Sequence, residues 1–224
     1  MGPARRCKAV SARSLRLECF GHACFGVSAQ GHASLLLDPH APGLFNHQMN
    51  YPKPQGRFDA VVCSHEHLDH AAVDGFDAEV LDSGEFGGWT IQRIEVDHDE
   101  YDGRRRGGRV DMLSIRGAGC HIVHASDVGQ SPTPDVLDAL GAVDVLLVPV
   151  GGFFTVGAAQ AWAWCERVAA RCVVPMHHKT SECLLPLMPV STFLTYVDVY
   201  ERKQRAWHFD PSAALPPCVV FESF

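Results

Sequence analysis

The sequence predicts a layered α/β protein with its functional site on one edge of the sheets. Three observations lead there. Strand-like segments crowd the first half of the chain, and strands alternate with helices in the second half. Val143 to Val150 carries the strongest signal of a buried strand. Histidine and aspartate recur just past the ends of predicted strands, most densely in Ser64-His65-Glu66-His67-Leu68-Asp69-His70.

Leu15 to Phe20 and Cys24 to Val27 read as short strands around Gly21-His22, and Ala33 to Leu37 as a third, ended by Asp38-Pro39. A turn at Gln30-Gly31 joins the last two. Residues 39–57, rich in Pro, Gly and Asn, read as a long loop, and loops of that length in compact domains usually have a function. Phe58 to Cys63 is a largely apolar strand that feeds the histidine cluster, with a short helix expected to start near Asp69 or His70. Val80-Leu81 and Trp89 to Val96 are further strands, and His98 follows the second.

Arg109 to Arg116 and His121 to His124 form a hairpin across Gly117-Ala118-Gly119, and Asp127 comes soon after. Thr133 caps a helix to Leu140 with Pro134 in its first turn. After Val143 to Val150, Gly151-Gly152 ends the strand, by a tight turn or an approach to substrate. A helix from about Ala158 to Ala170 places Trp162, Cys165 and Ala169 on one face. Val173 to Pro175 is a strand that delivers His177. Residues 184–197 hold one or two short helices broken by Pro186 and Pro189, and Ala206 to Phe209 and Cys218 to Phe221 close the chain as strands.

The 224 residues suffice for one domain with a substantial core. We expect residues 14–224 to form it and basic residues 1–13 to be a flexible tail. With 46% hydrophobic and 20% charged residues the composition is globular. The net charge of −7 gives no general attraction for nucleic acid. Nine cysteines without a CxxC pair, several inside apolar runs, suit free thiols in the cytoplasm. No segment is apolar enough for a membrane span or a signal peptide. GxGxxG, GxxxxGK[ST] and GxSxG are absent, which argues against nucleotide cradles and a serine elbow. Counting alone leaves a cysteine nucleophile open.

Three histidines and an aspartate within six residues, at the mouth of a buried strand, are costly unless they bind metal. His65 and His67, two apart, can point to one side of an extended loop. Asp69 and His70 follow where the chain bends, which could aim them at a second ion. More distant residues must complete two coordination shells. His98, Asp127 and His177 are candidates, with His22, His121, His124 and His178 as rivals. Imidazole and carboxylate donors favour two Zn2+ ions, with Mn2+ or Fe as alternatives.

The pattern resembles the metallo-beta-lactamase superfamily over nearly the whole chain, and SHEHLDH looks like its HxHxDH signature. The remainder is most similar to a small cytoplasmic branch that includes ascorbate-6-phosphate lactonase-like proteins. The supporting segments are Gly21 to Phe25, Leu37 to Pro39, His98-Asp99, His124 to Asp127, Val148 to Thr155 and Pro175 to Thr180. The resemblance implies a four-layer αββα sandwich with the metal site at the edge between its two sheets. It also implies that His65, His67 and His98 hold one ion, that Asp69, His70 and His177 hold the other, and that Asp127 bridges. His22 is implied near the site, contacting substrate or supporting a ligand. The chain departs from the pattern at Ala125-Ser126, where a glycine usually precedes the aspartate, and at the arginine-rich Gly103 to Arg109.

The expected function is a dinuclear zinc hydrolase using a metal-activated hydroxide on a small ester, lactone or phosphodiester, with Asp69 both ligating and handling the proton. A nuclease or nucleotide phosphodiesterase is the alternative among enzymes, and a metal-binding protein without turnover the alternative outside them. Arg106, in the Arg104–Arg106 run, and Lys179 would receive an anionic small-molecule substrate. A homo-oligomer stays open: Trp89, Trp162 or Phe153-Phe154 would mark an interface if exposed, with core packing the simpler account.

Overall fold

The computed structural model describes residues 14–99, 101, 103, 104 and 108–222. The expected tail, 1–13, and Arg106 lie outside the described residues. One sheet contains β1 (Leu15–Gly21), β2 (Cys24–Ala29), β3 (Leu35–Leu37), β4 (Ala60–Val62), β5 (Glu79–Leu81) and β13 (Ala206–Phe209), in the order β13-β1-β2-β3-β4-β5. The other contains β6 (Gly84–Phe86), β7 (Trp89–Asp97), β8 (Arg109–Gly117), β9 (Cys120–His124), β10 (Val145–Pro149) and β11 (Cys172–Met176), in the order β11-β10-β9-β8-β7-β6. A small parallel pair joins β12 (Glu201–Lys203) to β14 (Val219–Phe221). The helical segments are α1 (Leu44–His47), α2 (Pro134–Leu140), α3 (Ala158–Val168) and α4 (Val190–Leu194).

Alternation along the strands sorts the side chains into layers. Leu15, Leu17, Leu35, Leu37 and Val62 of the first sheet meet Trp89, Ile91, Leu113, Ile115, Val145, Leu147 and Val174 of the second in one buried cluster. The intervening residues Met112, Val123, Leu146, Val148 and Val173 face outward, where Val136, Leu140, Trp164 and Phe193 of the helices cover them. Phe20, Cys24, Leu36 and Val61, on the far side of the first sheet, pack against Phe58, Val73, Phe76 and Ala78. The chain therefore has two sheets face to face with helices flanking, the α/β sandwich expected from its sequence.

Strand direction creates the functional edge. β7 and β9 both run antiparallel to β8, so they point the same way, and β10 and β11 continue parallel to β9. The C-terminal ends of β7, β9, β10 and β11 consequently share one side, and from them emerge His98, Asp127, Gly151 and His177. In the facing sheet β4 runs parallel to β3 and ends just before the histidine cluster.

Several local expectations are corrected. No helix starts near Asp69. The backbone N–H groups of His70 and Ala71 both donate to the His67 carbonyl at 2.9 and 3.0 Å, closing a single turn. The buried face of α3 is Ala161, Trp164, Cys165 and Val168, while Trp162 is half-buried and Ala169 exposed. Ala169 ends that helix in a left-handed conformation, with φ 50°. Within 184–197 the expected one or two short helices are one, α4, directly after Pro189. Trp89 is fully buried and donates from Nε1 to the Ala33 carbonyl at 2.7 Å, which accounts for it as core. The hairpin of β8 and β9 and the Thr133 cap, whose side chain accepts from Val136 N–H, form as expected. No helix among the described residues is long and apolar enough to cross a membrane.

Trp164 ties α3 to the functional edge, because its Nε1 donates to the Gln130 carbonyl at 2.8 Å while Gln130 Oε1 accepts from Asp97 N–H at 2.6 Å. Trp164→Ala is expected to cost about 3–5 kcal/mol, as large aromatic truncations in a packed core do, and urea unfolding of the metal-free protein measures it.

Candidate metal centre

The site is assembled on one buried carboxylate. Asp38, just past β3, accepts from Ser64 N–H at 2.6 Å through Oδ1 and from the Ser64 hydroxyl at 2.6 Å through Oδ2. The same Oδ2 lies 2.8 Å from His70 Nδ1. With Nδ1–H committed to Asp38, His70 presents the lone pair of Nε2 to the centre. Ser64 Oγ, its proton given to Asp38, accepts from Ser126 Oγ at 2.8 Å and lies 2.8 Å from His65 Nδ1. His65 is thereby set as the Nδ1–H tautomer with Nε2 facing inward. Arg93 holds the base of the loop by donating to the carbonyls of Cys63 at 2.7 Å and Ser64 at 3.3 Å.

The donors fall into two groups of four, each with ligand-type atoms within 4.8 Å of one another. His65, His67, His98 and Asp127 form one, and His22, Asp69, His70 and His177 the other. The Asp127 carboxylate faces both ways. Its Oδ1 is 3.3 Å from His70 Nε2 and 3.4 Å from His177 Nε2, and its Oδ2 is 3.6 Å from His98 Nε2. His70 Nε2 and Asp127 Oδ1 are buried without a hydrogen-bond partner. Such atoms are costly to bury, and cations between them would satisfy both. Asp38, His65 and His70 also lie close together, but the Asp38 oxygens already accept three hydrogen bonds.

Electrostatics follow from burial against the two carboxylates. Burial opposes charge on Asp127 and Asp69, yet His177 and His70 hold the first well below the usual carboxylate range and His70 and His22 hold the second below it. Burial, aided by His70, pushes His65 down to about 3, and burial likewise takes His177 to about 3. For His70 burial is outweighed by Asp127, Asp69 and Asp38, so its pKa rises well above the ordinary imidazole value. A metal-free centre at neutral pH therefore keeps a proton on His70, while His65 and His177 beside it stay neutral.

The rival histidines separate cleanly. Ser126 N–H donates to His124 Nδ1 at 3.1 Å, so His124 Nε2–H donates to the Ala23 carbonyl at 2.8 Å, and the ring has no lone pair to spare. His121 is satisfied by Ser114 Oγ and the Ala142 carbonyl. His178 turns toward the Lys179 carbonyl. His22 joins the centre, with Nε2 3.0 Å from Asp69 Oδ2. Lys179 is exposed and lines a different cavity, with Asn50, Glu182 and Arg202. Arg109 pairs with Glu95 and with Asp97 at the surface. Burial raises the thiols of Cys19, Cys63, Cys120, Cys165 and Cys218 to about 12, so none of these is a ready nucleophile.

The substitution of serine for glycine before Asp127 also has a structural account. Ser126 has φ 53°, the left-handed region that favours glycine, and its hydroxyl joins the Ser64 and Asp38 network. Sequence reading missed Asp38, Ser64 and Arg93 as supports, and also two close approaches. A Cβ on Gly129 would lie 2.3 Å from the His98 carbonyl oxygen, and one on Gly151 would lie 2.3 Å from that of His177. The Asp38-Pro39 step, at the end of a strand beside the one carrying the histidines, was the available sequence signal for Asp38.

A cavity of about 450 Å³ opens over the centre, with Asp69, His98, Asp127 and His177 among its lining residues. Residues 16–177 match the family model described as a beta-lactamase superfamily domain. The chain belongs to the metallo-beta-lactamase superfamily. A UPF0173 metal-dependent hydrolase of Pyrococcus abyssi is 28% identical over 196 residues, spanning 74% of this chain and 85% of that one. A crystal structure from Thermotoga maritima, described as a candidate Zn-dependent hydrolase of this superfamily, is 30% identical with a TM-score of 0.75, covering 94% of this chain and 100% of that one. A metallo hydrolase from Ignicoccus hospitalis shares the fold at 22% identity and a TM-score of 0.57, over 83% of this chain and 91% of its own.

Metal binding is expected to displace the His70 proton. Titration calorimetry near pH 7 in buffers of different ionisation enthalpy should show release of roughly one proton. Apparent affinity should climb as pH rises toward the elevated His70 pKa and flatten beyond it; affinity independent of pH between 5 and 8 on the pH scale, taken as roughly the imidazole range, would contradict this account. Gly129→Ala must push the His98 backbone aside, and competition with a chromophoric chelator should show metal affinity weakened by about tenfold to a hundredfold.

Proposed function

We propose that the chain is a dinuclear metal-dependent hydrolase acting on a small ester, lactone or phosphodiester. In this reading His65, His67 and His98 would hold one ion, Asp69, His70 and His177 would hold the second, and Asp127 would serve both. The observation that carries it is the divided Asp127 carboxylate, one oxygen toward His70 and His177 and the other toward His98. When bound, the ions supply Lewis-acid activation of water and of the substrate oxygen. Zinc is the proposed metal, since imidazole and carboxylate suit it, and the Thermotoga maritima neighbour is described as Zn-dependent.

The protein's own groups position and move the proton. His22 Nε2 holds Asp69 Oδ2 at 3.0 Å, fixing the carboxylate so that one oxygen can ligate and the other can take the proton of the attacking water. Asp69 then returns that proton to the leaving oxygen. His22 acts through Asp69, as a positioning residue. Among the described residues the lining of this cavity contains no Lys or Arg. Lactone specificity rests on the resemblance in the sequence alone. A cytoplasmic location fits the eight unpaired cysteines among the described residues.

Protein purified without chelator should carry about two metal equivalents by elemental analysis, and stripping them should abolish hydrolysis of p-nitrophenyl acetate, a simple lactone and bis(p-nitrophenyl) phosphate alike. A metal-free preparation with unchanged turnover would sink the proposal. Asp69→Asn should lower kcat by about a hundredfold to ten-thousandfold. His22→Ala should lower kcat by about tenfold to a hundredfold while keeping the bound metal; loss of one equivalent would instead make His22 a ligand.

A further inference from the structure

Resting on the hydrolase reading, we infer that the substrate is an ester or lactone with an apolar acyl group, held by a hydrophobic rim above the metal centre. The cavity has two distinct zones. Its floor holds the metal-binding donors. Above them Phe45, Leu68, Phe154 and Leu185 line the walls, joined by Glu66. Phe45 is 42% and Leu68 69% exposed, so large apolar side chains face solvent at the mouth of a site built from charged groups. Scattered exposed hydrophobics mean little, but several around one cavity mark a binding surface.

The backbone supports the same reading. Phe45, Asn46 and His47 have φ of 54°, 54° and 63°, three consecutive left-handed residues without a glycine among them. Each costs free energy, and strain of this kind collects at ligand-contacting segments. Here it carries Phe45 to the cavity wall. Charge points the same way. Among the described residues the lining holds no lysine or arginine, so a multiply charged phosphate would meet no cation from them there and would face Glu66. A neutral acyl chain loses nothing to that environment and gains by leaving water. The volume of about 450 Å³ accommodates a small ligand of this kind. In the reaction the water oxygen bonds to the acyl carbon and the bond from that carbon to the ester oxygen breaks. The leaving alkoxide takes up the proton held by Asp69, yielding a carboxylic acid and an alcohol.

The test compares p-nitrophenyl acetate, butyrate and hexanoate with bis(p-nitrophenyl) phosphate on the zinc-loaded protein. In parallel, calorimetry measures binding of alkyl hydroxamates of the same chain lengths. Both kcat/KM for the esters and hydroxamate affinity should rise with chain length, by up to about fourfold per methylene. Phe45→Ala and Leu68→Ser, both at exposed side chains, should flatten both slopes. Metal-dependent hydrolysis with a flat or falling series would overturn the inference and leave the hydrolase reading standing. Failure of every substrate to turn over with metal present would overturn both. Chain-length independence together with a dimer that Leu68→Ser splits, seen by light scattering, would assign the rim to a second copy of the chain instead.

Discussion

Asp38 is the constraint on which the centre depends. A carboxylate with no exposure to water survives in a folded core only if its oxygens are occupied. Ser64 N–H, Ser64 Oγ and His70 Nδ1 occupy them, and each of those bonds fixes something beyond itself. The backbone bond sets where the chain leaves β4. The hydroxyl bond leaves Ser64 Oγ as an acceptor for His65 and Ser126. The imidazole bond decides which nitrogen of His70 looks inward. One buried charge thereby orients groups on two further segments, 64–70 and the one carrying Ser126, that are distant from it in sequence.

The same economy governs the edge of the second sheet. Parallel β9, β10 and β11, together with β7, deliver His98, Asp127, Gly151 and His177 to one side. Glycines at 129 and 151 leave room for the backbone beneath His98 and His177 to approach closely. Strained positions gather here as well. His22, Asp38, Ser126 and His177 all have φ between 45° and 55°. Non-glycine residues in that region cost of order 1–3 kcal/mol each, and the two packed cores must offset the sum. The centre is a local sacrifice of stability held in place by an apolar sandwich around it.

Above that polar floor the walls change character. Phe45, Leu68, Phe154 and Leu185 come from four segments that follow four different strands and share no sequence pattern. Their common feature is apolarity in a place where surface loops are usually polar. The contrast between a donor-rich floor and a hydrophobic mouth suits a ligand that is polar at one end and apolar at the other.

The sequence by itself determined the layered strand order, the density of donors in HEHLDH and the resemblance that nominated His98, Asp127 and His177. The strands β1, β8 and β10, the last as a continuous apolar run, and the capped α2 were legible because they depend on near neighbours. The helix expected at Asp69 was not, because the His67 carbonyl accepts from two successive N–H groups in a turn closed before a second helical turn could form. The face of α3 was misplaced for a related reason: which residues are buried depends on the sheet beneath, and Trp164 rather than Trp162 meets it. Only the tertiary structure could choose between His124 and Asp127, or between His177 and His178. Lone pairs are assigned by hydrogen bonds to residues far away in the chain, such as Ala23 for His124 and Asp38 for His70, and no local spacing encodes those partners.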